Sequence, residues 1–195
     1  MSTIHLITAH HLASSLNQSM SKIAENLLSA HYTVLTSDLY AMQQQNHPAT
    51  KNYGSSRSEQ DQPLIKQEQQ KLQQSDLVIL QFPLYWFSMP GIMKNYWEQI
   101  LEPGFAYPGK FENSPLNNGR RIAFAITTQS TQQDYSQQGY NGDINTILEH
   151  LFVAFRFVGF KIDKPFILFD AHNKQNETIT KQLEQYKNYL NSIKF

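Results

Sequence analysis

Residues 76–107, DLVILQFPLYWFSMPGIMKNYWEQILEPGFAY, constrain the fold of this chain more than any other stretch. Residues 77–82 are apolar almost without a break, the pattern of a strand buried on both faces. Such a strand belongs inside a parallel sheet with helices packed on either side. Pro83 ends it. The loop 84–88 then carries Tyr85, Trp86 and Phe87 in succession. Pro90 stands where a first-turn proline belongs, and the spacing predicts a helix to about Leu101. Ile92, Met93, Tyr96, Trp97, Ile100 and Leu101 fill two adjacent i, i+4 rows, with Lys94, Asn95, Glu98 and Gln99 opposite. Pro103-Gly104 stops the helix, and residues 105–107 return apolar surface to the same region.

The aromatic loop asks for cover. Connections normally run over the surface and are polar, so adjacent rings need something flat against them. Ligands of open α/β sheets bind outside the carboxyl ends of the strands, and this loop leaves such an end. A planar cofactor, a buried corner and a contact between two copies of the chain all satisfy the requirement.

In chain order, residues 3–9 read as a strand and 17–30 as a helix, through Met20, Ile23, Ala24, Leu27 and Leu28. The loop between them contains no GxGxxG and no GKS or GKT, which excludes a Rossmann turn and a P-loop. It offers Ser14, Ser15 and Asn17 instead, at a helix start where phosphates bind or where Ser and Asn simply cap. His10 and His11 are adjacent on this loop and point apart if it is extended. Residues 32–36 form a second strand. Residues 42–62 are rich in Gln, Asn and Ser and read as a surface loop with little core, followed by a weak helix at 63–74. Residues 108–118 are turn-rich, 122–127 a strand, and 128–143 a polar loop. Ile144, Ile147, Leu148, Leu151, Phe152 and Phe155 mark a helix. A last strand over 160–169 is interrupted by Pro165, and a final helix carries Ile179, Leu183, Tyr186, Leu190 and Ile193.

Strands alternating with helices predict one α/β domain over residues 1–195: a three-layer sandwich with a five-stranded parallel sheet in the order 2-1-3-4-5. Sixteen basic and sixteen acidic side chains leave no net charge, which argues against nucleic acid as partner. The absence of cysteine excludes a thiolate nucleophile, an iron–sulfur site and any disulfide, and fits the cytoplasm. The scattered histidines form no HExxH and no i, i+4 pair, so no metal site is expected. Without GxSxG, a serine hydrolase of that type is unsupported.

Residues 81–107 closely resemble the signature of the NAD(P)H:quinone oxidoreductase, or DT-diaphorase-like, flavoproteins of flavodoxin-like fold. TAHHLASSLN at 8–17 and ITTQSTQQDYSQQGYNGD at 126–143 match two further family segments in family order. Without the C-terminal extension of long animal members, the chain looks like a short bacterial form. The resemblance implies bound FAD, or FMN, with phosphates at His10, Ser15, Leu16 and Asn17. It implies a flavin ring lined by the backbone of Pro83, Leu84, Tyr85, Trp86 and Phe87 and of Thr127, Thr128 and Gln129. Trp86 and Phe87 would wall the pocket. Tyr107 and Phe157 would approach from the other subunit of a homodimer; at the residue level, Phe157 reads equally as a core position.

Tyr135 matches a family tyrosine that hydrogen-bonds the flavin and helps to carry charge during hydride transfer. Its family partner is a histidine, where this chain has Asn141; two family glycines are replaced by Gln129 and Ser130. Asn does not exchange protons as imidazole does, which puts a Tyr–His relay in doubt. The expected activity is two-electron transfer from NAD(P)H to a quinone-like acceptor by a ping-pong route, Trp86, Tyr107, Asn141 and Phe157 lining the acceptor pocket. Close relatives are ancillary subunits of potassium-efflux channels, which makes a membrane-channel partner the rival reading. A one-electron carrier of flavodoxin type is the second rival, and zero net charge counts against it.

Overall fold

The computed structural model describes residues 1–52, 54, 58–107, 116, 118–172 and 176–195. The expected turns over 108–118 therefore lie mostly outside the described residues. The elements are β1 (Thr3–Thr8), α1 (Leu16–Ser29), β2 (Thr33–Asp38), α2 (Leu39–Gln44), α3 (Gln62–Gln74), β3 (Leu77–Pro83), α4 (Gly91–Ile100), β4 (Arg121–Thr127), α5 (Ile144–Phe157), β5 (Lys161–Ile162), β6 (Phe166–Leu168) and α6 (Asn176–Asn191), with short 3-10 turns at Pro48–Thr50 and Glu59–Asp61.

The sheet is parallel and six-stranded, in the order β2-β1-β3-β4-β5, with β6 also pairing β4. The expected order holds, and the fifth position is shared by two short strands. Pro165 is the reason: it has no N–H to give a ladder. Arg121 grips Asp163 at the bend, Nε to Oδ1 at 3.0 Å and Nη2 to Oδ2 at 2.6 Å.

Every residue of β3 is buried, as its apolar run requires. Leu77 and Ile79 face α1 and α6, packing with Met20, Ala24, Leu28, Tyr186 and Leu190. Val78, Leu80 and Phe82 face the other layer with Met93, Tyr96, Trp97, Leu148 and Phe155. Helices thus cover both faces. Among the described residues no helix is long and apolar enough to cross a membrane.

Residues 42–62 are corrected in part. Asp38 Oδ1 accepts from Tyr40 N and Ala41 N at 3.1 and 3.2 Å, starting α2. His47 Nδ1 accepts from Ala49 N at 3.2 Å, and Pro48–Thr50 is buried in a 3-10 turn that packs on α4. These small residues carry no aliphatic periodicity, yet they fit close against a helix.

Candidate functional site

The register sets Thr8 of β1 beside Gln81 of β3, and Pro83 of β3 beside Thr127 of β4. The loops leaving these three strands therefore emerge side by side at the carboxyl edge. Ala9 N donates to Gln81 O at 3.0 Å and Leu84 N to Thr127 O at 2.8 Å, so each loop starts from its neighbour's strand end.

In the first loop, Ser15 caps α1: its Oγ accepts from Gln18 N at 3.1 Å. The capping reading of Ser15 is thus correct. Asn17 is not a cap. It is buried, its Nδ2 reaches Thr127 Oγ1 at 3.5 Å, and its Oδ1 has no partner among the described residues. Among the described residues the N–H groups of Leu16 and Asn17 also have none, as first-turn donors commonly do. His10 Nδ1 accepts from Leu12 N at 3.1 Å, which leaves its proton on Nε2. Burial, then the nearby His11, lower the His10 pKa, so the ring is neutral at pH 7. His10 and His11 do not point apart: the chain bends at residue 11 and the two rings stack at 5.0 Å, 9° from parallel. Gln18 Nε2 ties this loop to the end of β2 through Asp38 Oδ2 at 3.0 Å.

The second loop is a tight turn. Tyr85 N donates to Ser88 O at 2.9 Å and Ser88 N to Tyr85 O at 3.0 Å. Trp86 and Phe87 between them have φ of 49° and 61°, the sign pattern of a type I′ turn, usually made by Asn-Gly. Two aromatic residues held left-handed cost on the order of 1 kcal/mol each. Trp86 is 94 % exposed and Phe87 44 %, so neither ring is covered by its own chain. Pro83 and Leu84 are buried beneath them, and Tyr85 is half-buried. Of the N–H groups expected to line a ring, those of Leu84 and Tyr85 are bonded within the chain. Among the described residues those of Trp86 and Phe87 are not.

Ser88 links the turn to α5. His150 Nδ1 lies 2.6 Å from Ile147 O and must donate to that carbonyl, so Nε2 accepts from the Ser88 hydroxyl at 3.2 Å.

The third loop begins with buried Thr127 and Thr128; Thr128 N donates to Leu168 O at 2.9 Å, and its Oγ1 donates to Ser130 O at 2.9 Å. Gln129 is exposed. Tyr135 is buried near Phe169, ring centroids 6.1 Å apart, and burial raises its pKa while the Ser130 hydroxyl opposes the rise. Asn141 N donates to Asp134 O at 2.9 Å, closing the loop beside Tyr135. A Cβ at Gly139 would meet Gln133 O at 2.3 Å, so only glycine fits there.

Tyr107 lines one groove with Ser88 and His150, and Phe157 is the last residue of α5. Both α4 and α5 start at the carboxyl edge and run back along the sheet, about 15–20 Å for helices of this length. Tyr107 follows α4 and Phe157 ends α5, exposed by 38 % and 59 %. Phe157 is therefore no core residue. Between the two helices lies a groove of about 870 Å³ lined by Met89, Trp97, Leu101, Tyr107, Leu151 and Phe155 among others. Among the described residues the Trp97 Nε1, buried there, has no partner. Among the described residues no three potential metal ligands gather.

Sequence reasoning gave no role to Gln18 or to Gln81. The signal for Gln81 was present: an amide inside an otherwise apolar strand.

The profile of the flavodoxin-like fold family Flavodoxin_2 matches residues 2–190. The chain is 37% identical over 185 residues to human ribosyldihydronicotinamide dehydrogenase [quinone], covering 84% of this chain and 80% of the relative. It is 32% identical over 212 residues to rat NAD(P)H dehydrogenase [quinone] 1, covering 96% and 76%. A crystal structure of a Klebsiella pneumoniae protein assigned as a quinone reductase superposes with a TM-score of 0.80 at 27% identity, over 98% of this chain and 85% of that one.

Proposed function

This chain belongs to the NAD(P)H:quinone oxidoreductase family of flavodoxin-like fold, and on that footing we propose that it is a flavin-dependent enzyme, a single cytoplasmic domain that moves two electrons from a dihydronicotinamide to a quinone-like acceptor. FAD is the favoured cofactor and FMN the alternative. When bound, the flavin supplies the redox chemistry that no side chain here possesses, and the two substrates use one pocket in turn.

The observation that carries this reading is the left-handed Trp86–Phe87 turn, which holds uncovered rings and unbonded N–H groups at the carboxyl edge of the sheet. The residues present fit a flavin. The Nε2–H of His10 and the N–H groups of Leu16 and Asn17 suit phosphate oxygens at a helix start. The lone Asn17 Oδ1 suits a hydroxyl donor. The N–H groups of Trp86 and Phe87 suit the oxygen-rich edge of the ring, where preorganised donors stabilise developing negative charge. The two side chains wall the pocket and exclude water. Tyr135, kept a neutral phenol by burial, can donate a hydrogen bond. Asn141 cannot move a proton, so water takes that role.

We further propose a homodimer in which each copy lends Tyr107 and Phe157 to the other's site. The exposure of both rings supports it, as do the apolar groove and, among the described residues, the unbonded Trp97 Nε1 between α4 and α5. The relatives reported above are quinone dehydrogenases, not channel subunits, which keeps the enzyme reading ahead.

An absorbance spectrum of the purified protein tests the proposal, followed by anaerobic addition of NADH, NADPH or dihydronicotinamide riboside and then a soluble quinone. Flavin bands that bleach with a reductant and recover with quinone are expected, from a particle of dimer mass on gel filtration. A colourless protein that takes up neither FAD nor FMN overturns the reading.

A further inference from the structure

β3 is buried on both faces, and Gln81 is its one polar side chain, 0 % exposed. A buried amide is costly unless its hydrogen bonds are made. Here they are made to two different helices. Gln81 Nε2 donates to Asn17 O at 2.5 Å, in the first turn of α1. Since that carbonyl can only accept, the amide orientation is fixed, and Oε1 must face Tyr186. The Tyr186 hydroxyl donates to it at 2.7 Å. Tyr186 itself is 0 % exposed, held in α6 against Phe166 with ring centroids 5.0 Å apart.

The main chain of the same residue holds the other end of the loop, because Gln81 O accepts from Ala9 N at 3.0 Å. One residue therefore grips the loop after β1 at both ends, its carbonyl at Ala9 and its side chain at Asn17. Between those grips lie His10, Ser15 and Leu16. We propose that Gln81, oriented by Tyr186, is a positioning residue that preorganises this loop for a phosphate-bearing flavin, so that α6 tunes cofactor affinity without touching the cofactor. This inference rests on the flavoenzyme reading above. An anion cradle made of N–H groups binds well only if those groups are already in place, because ordering a slack loop on binding consumes affinity. Tyr186 acts through Gln81, and Gln81 through the Asn17 carbonyl.

The test titrates flavin-free protein with FMN and with riboflavin, which lacks the phosphate, reading flavin fluorescence. Tyr186→Phe deletes one hydroxyl and keeps the packing. It should weaken FMN binding about fivefold, the worth of one hydrogen bond, and leave riboflavin binding unchanged. Tyr189→Phe is the control: Tyr189 lies on the same helix, but its hydroxyl donates to Lys164 O at 3.1 Å, away from the loop. It should leave both affinities unchanged. Gln81→Met, if it folds, should exceed Tyr186→Phe in the same direction. Hydrogen exchange on the flavin-free proteins gives a readout independent of the cofactor: the Ser15 and Gln18 amides, bonded within the loop to Leu12 O and Ser15 Oγ, should exchange faster in Tyr186→Phe than in the wild type. An FMN-to-riboflavin preference equal to the wild type's overturns the inference, as does unchanged exchange. If the wild-type protein binds no flavin, the flavoenzyme reading fails separately, and the exchange comparison still decides whether Gln81 holds the loop.

Discussion

His5 Nε2 and Glu68 Oε2 lie 4.0 Å apart inside the protein, both side chains almost wholly buried, with Ser37 Oγ bonded to each. The Ser37 hydroxyl donates to the carboxylate at 2.6 Å, so His5 Nε2 must donate to Ser37 at 2.9 Å, leaving Nδ1 as a bare lone pair. Lys71 Nζ reaches Glu68 Oε1 at 2.6 Å and the Tyr96 hydroxyl reaches Oε2 at 3.0 Å. The histidine is neutral beside a carboxylate because burial outweighs attraction. Burial lowers its pKa to about 3, Glu68 pulling the other way and Lys71 adding to the fall.

That histidine makes stability depend on pH. The unfolded chain takes up the His5 proton near pH 6.5, while the folded protein refuses it until about pH 3. Between those values the unfolded state binds more protons, so stability falls as pH falls and is flat above the unfolded pKa. Urea midpoints should drop steadily from pH 6.5 downwards. His5→Leu should make the curve shallower between pH 6.5 and about 5.5, above the range where Glu68 titrates, leaving the part due to His10 and His47, whose pKa values burial also lowers. An unchanged slope in that variant would show that another group is responsible.

Glu68 is the hub of the cluster. Burial alone would raise its pKa, but the hydrogen bonds from Lys71 and Ser37 outweigh burial and hold it below the usual value. Glu68→Gln keeps the volume and removes the charge facing Lys71. Breaking a buried pair typically costs about 3 kcal/mol or more, and denaturant unfolding should register a loss of that order. Tyr96→Phe should cost about 1 kcal/mol.

The left-handed turn separates stability from activity. Trp86→Gly relieves one strained residue while the Cβ-free chain gains entropy when unfolded, for a net gain of about 0.5 kcal/mol. The same change removes an aromatic side chain worth about 1 kcal/mol to the proposed pocket, so quinone reduction should fall about fivefold. Thermal melts of the flavin-free protein and turnover of the loaded one check both halves; a variant that is less stable and equally active refutes the separation.

At position 141, imidazole would restore a group that exchanges protons near neutral pH. Asn141→His should raise turnover about tenfold, modest for general acid–base help, and add a pH-dependent limb between pH 6 and 8. Equal turnover and an unaltered pH profile would mean that the position is irrelevant to the reaction.

The sheet was legible because its central strands are apolar on both faces, and only a doubly covered parallel sheet accommodates that. The order of motifs located the carboxyl-edge loops, and the i, i+4 rows located α1, α4 and α5. The buried cluster was not legible. Glu68 sits among Lys66, Gln67 and Gln70, and such a helix reads as solvated; only the β1–β2 register brings His5 and Ser37 beneath it. The left-handed turn was hidden for a different reason: Trp-Phe carries no turn signature, since its conformation is imposed by the Tyr85–Ser88 bridge. Asn17 looked like a cap because the sequence shows a helix start but not which side chain turns inward.

The break at Pro165 has a consequence for how copies of this protein meet in a crowded solution. A sheet edge with a continuous row of N–H and C=O groups is a template on which foreign strands can add. Here the outer edge is two short pieces, Lys161–Ile162 and Phe166–Leu168, offset around a residue that has no N–H. Exposed Lys161 and Lys164 put charge beside the gap. A strand from another molecule would find no unbroken ladder, and a lysine at either end of the attempt. The proline that shortens the last strand also stops the sheet from growing at that edge.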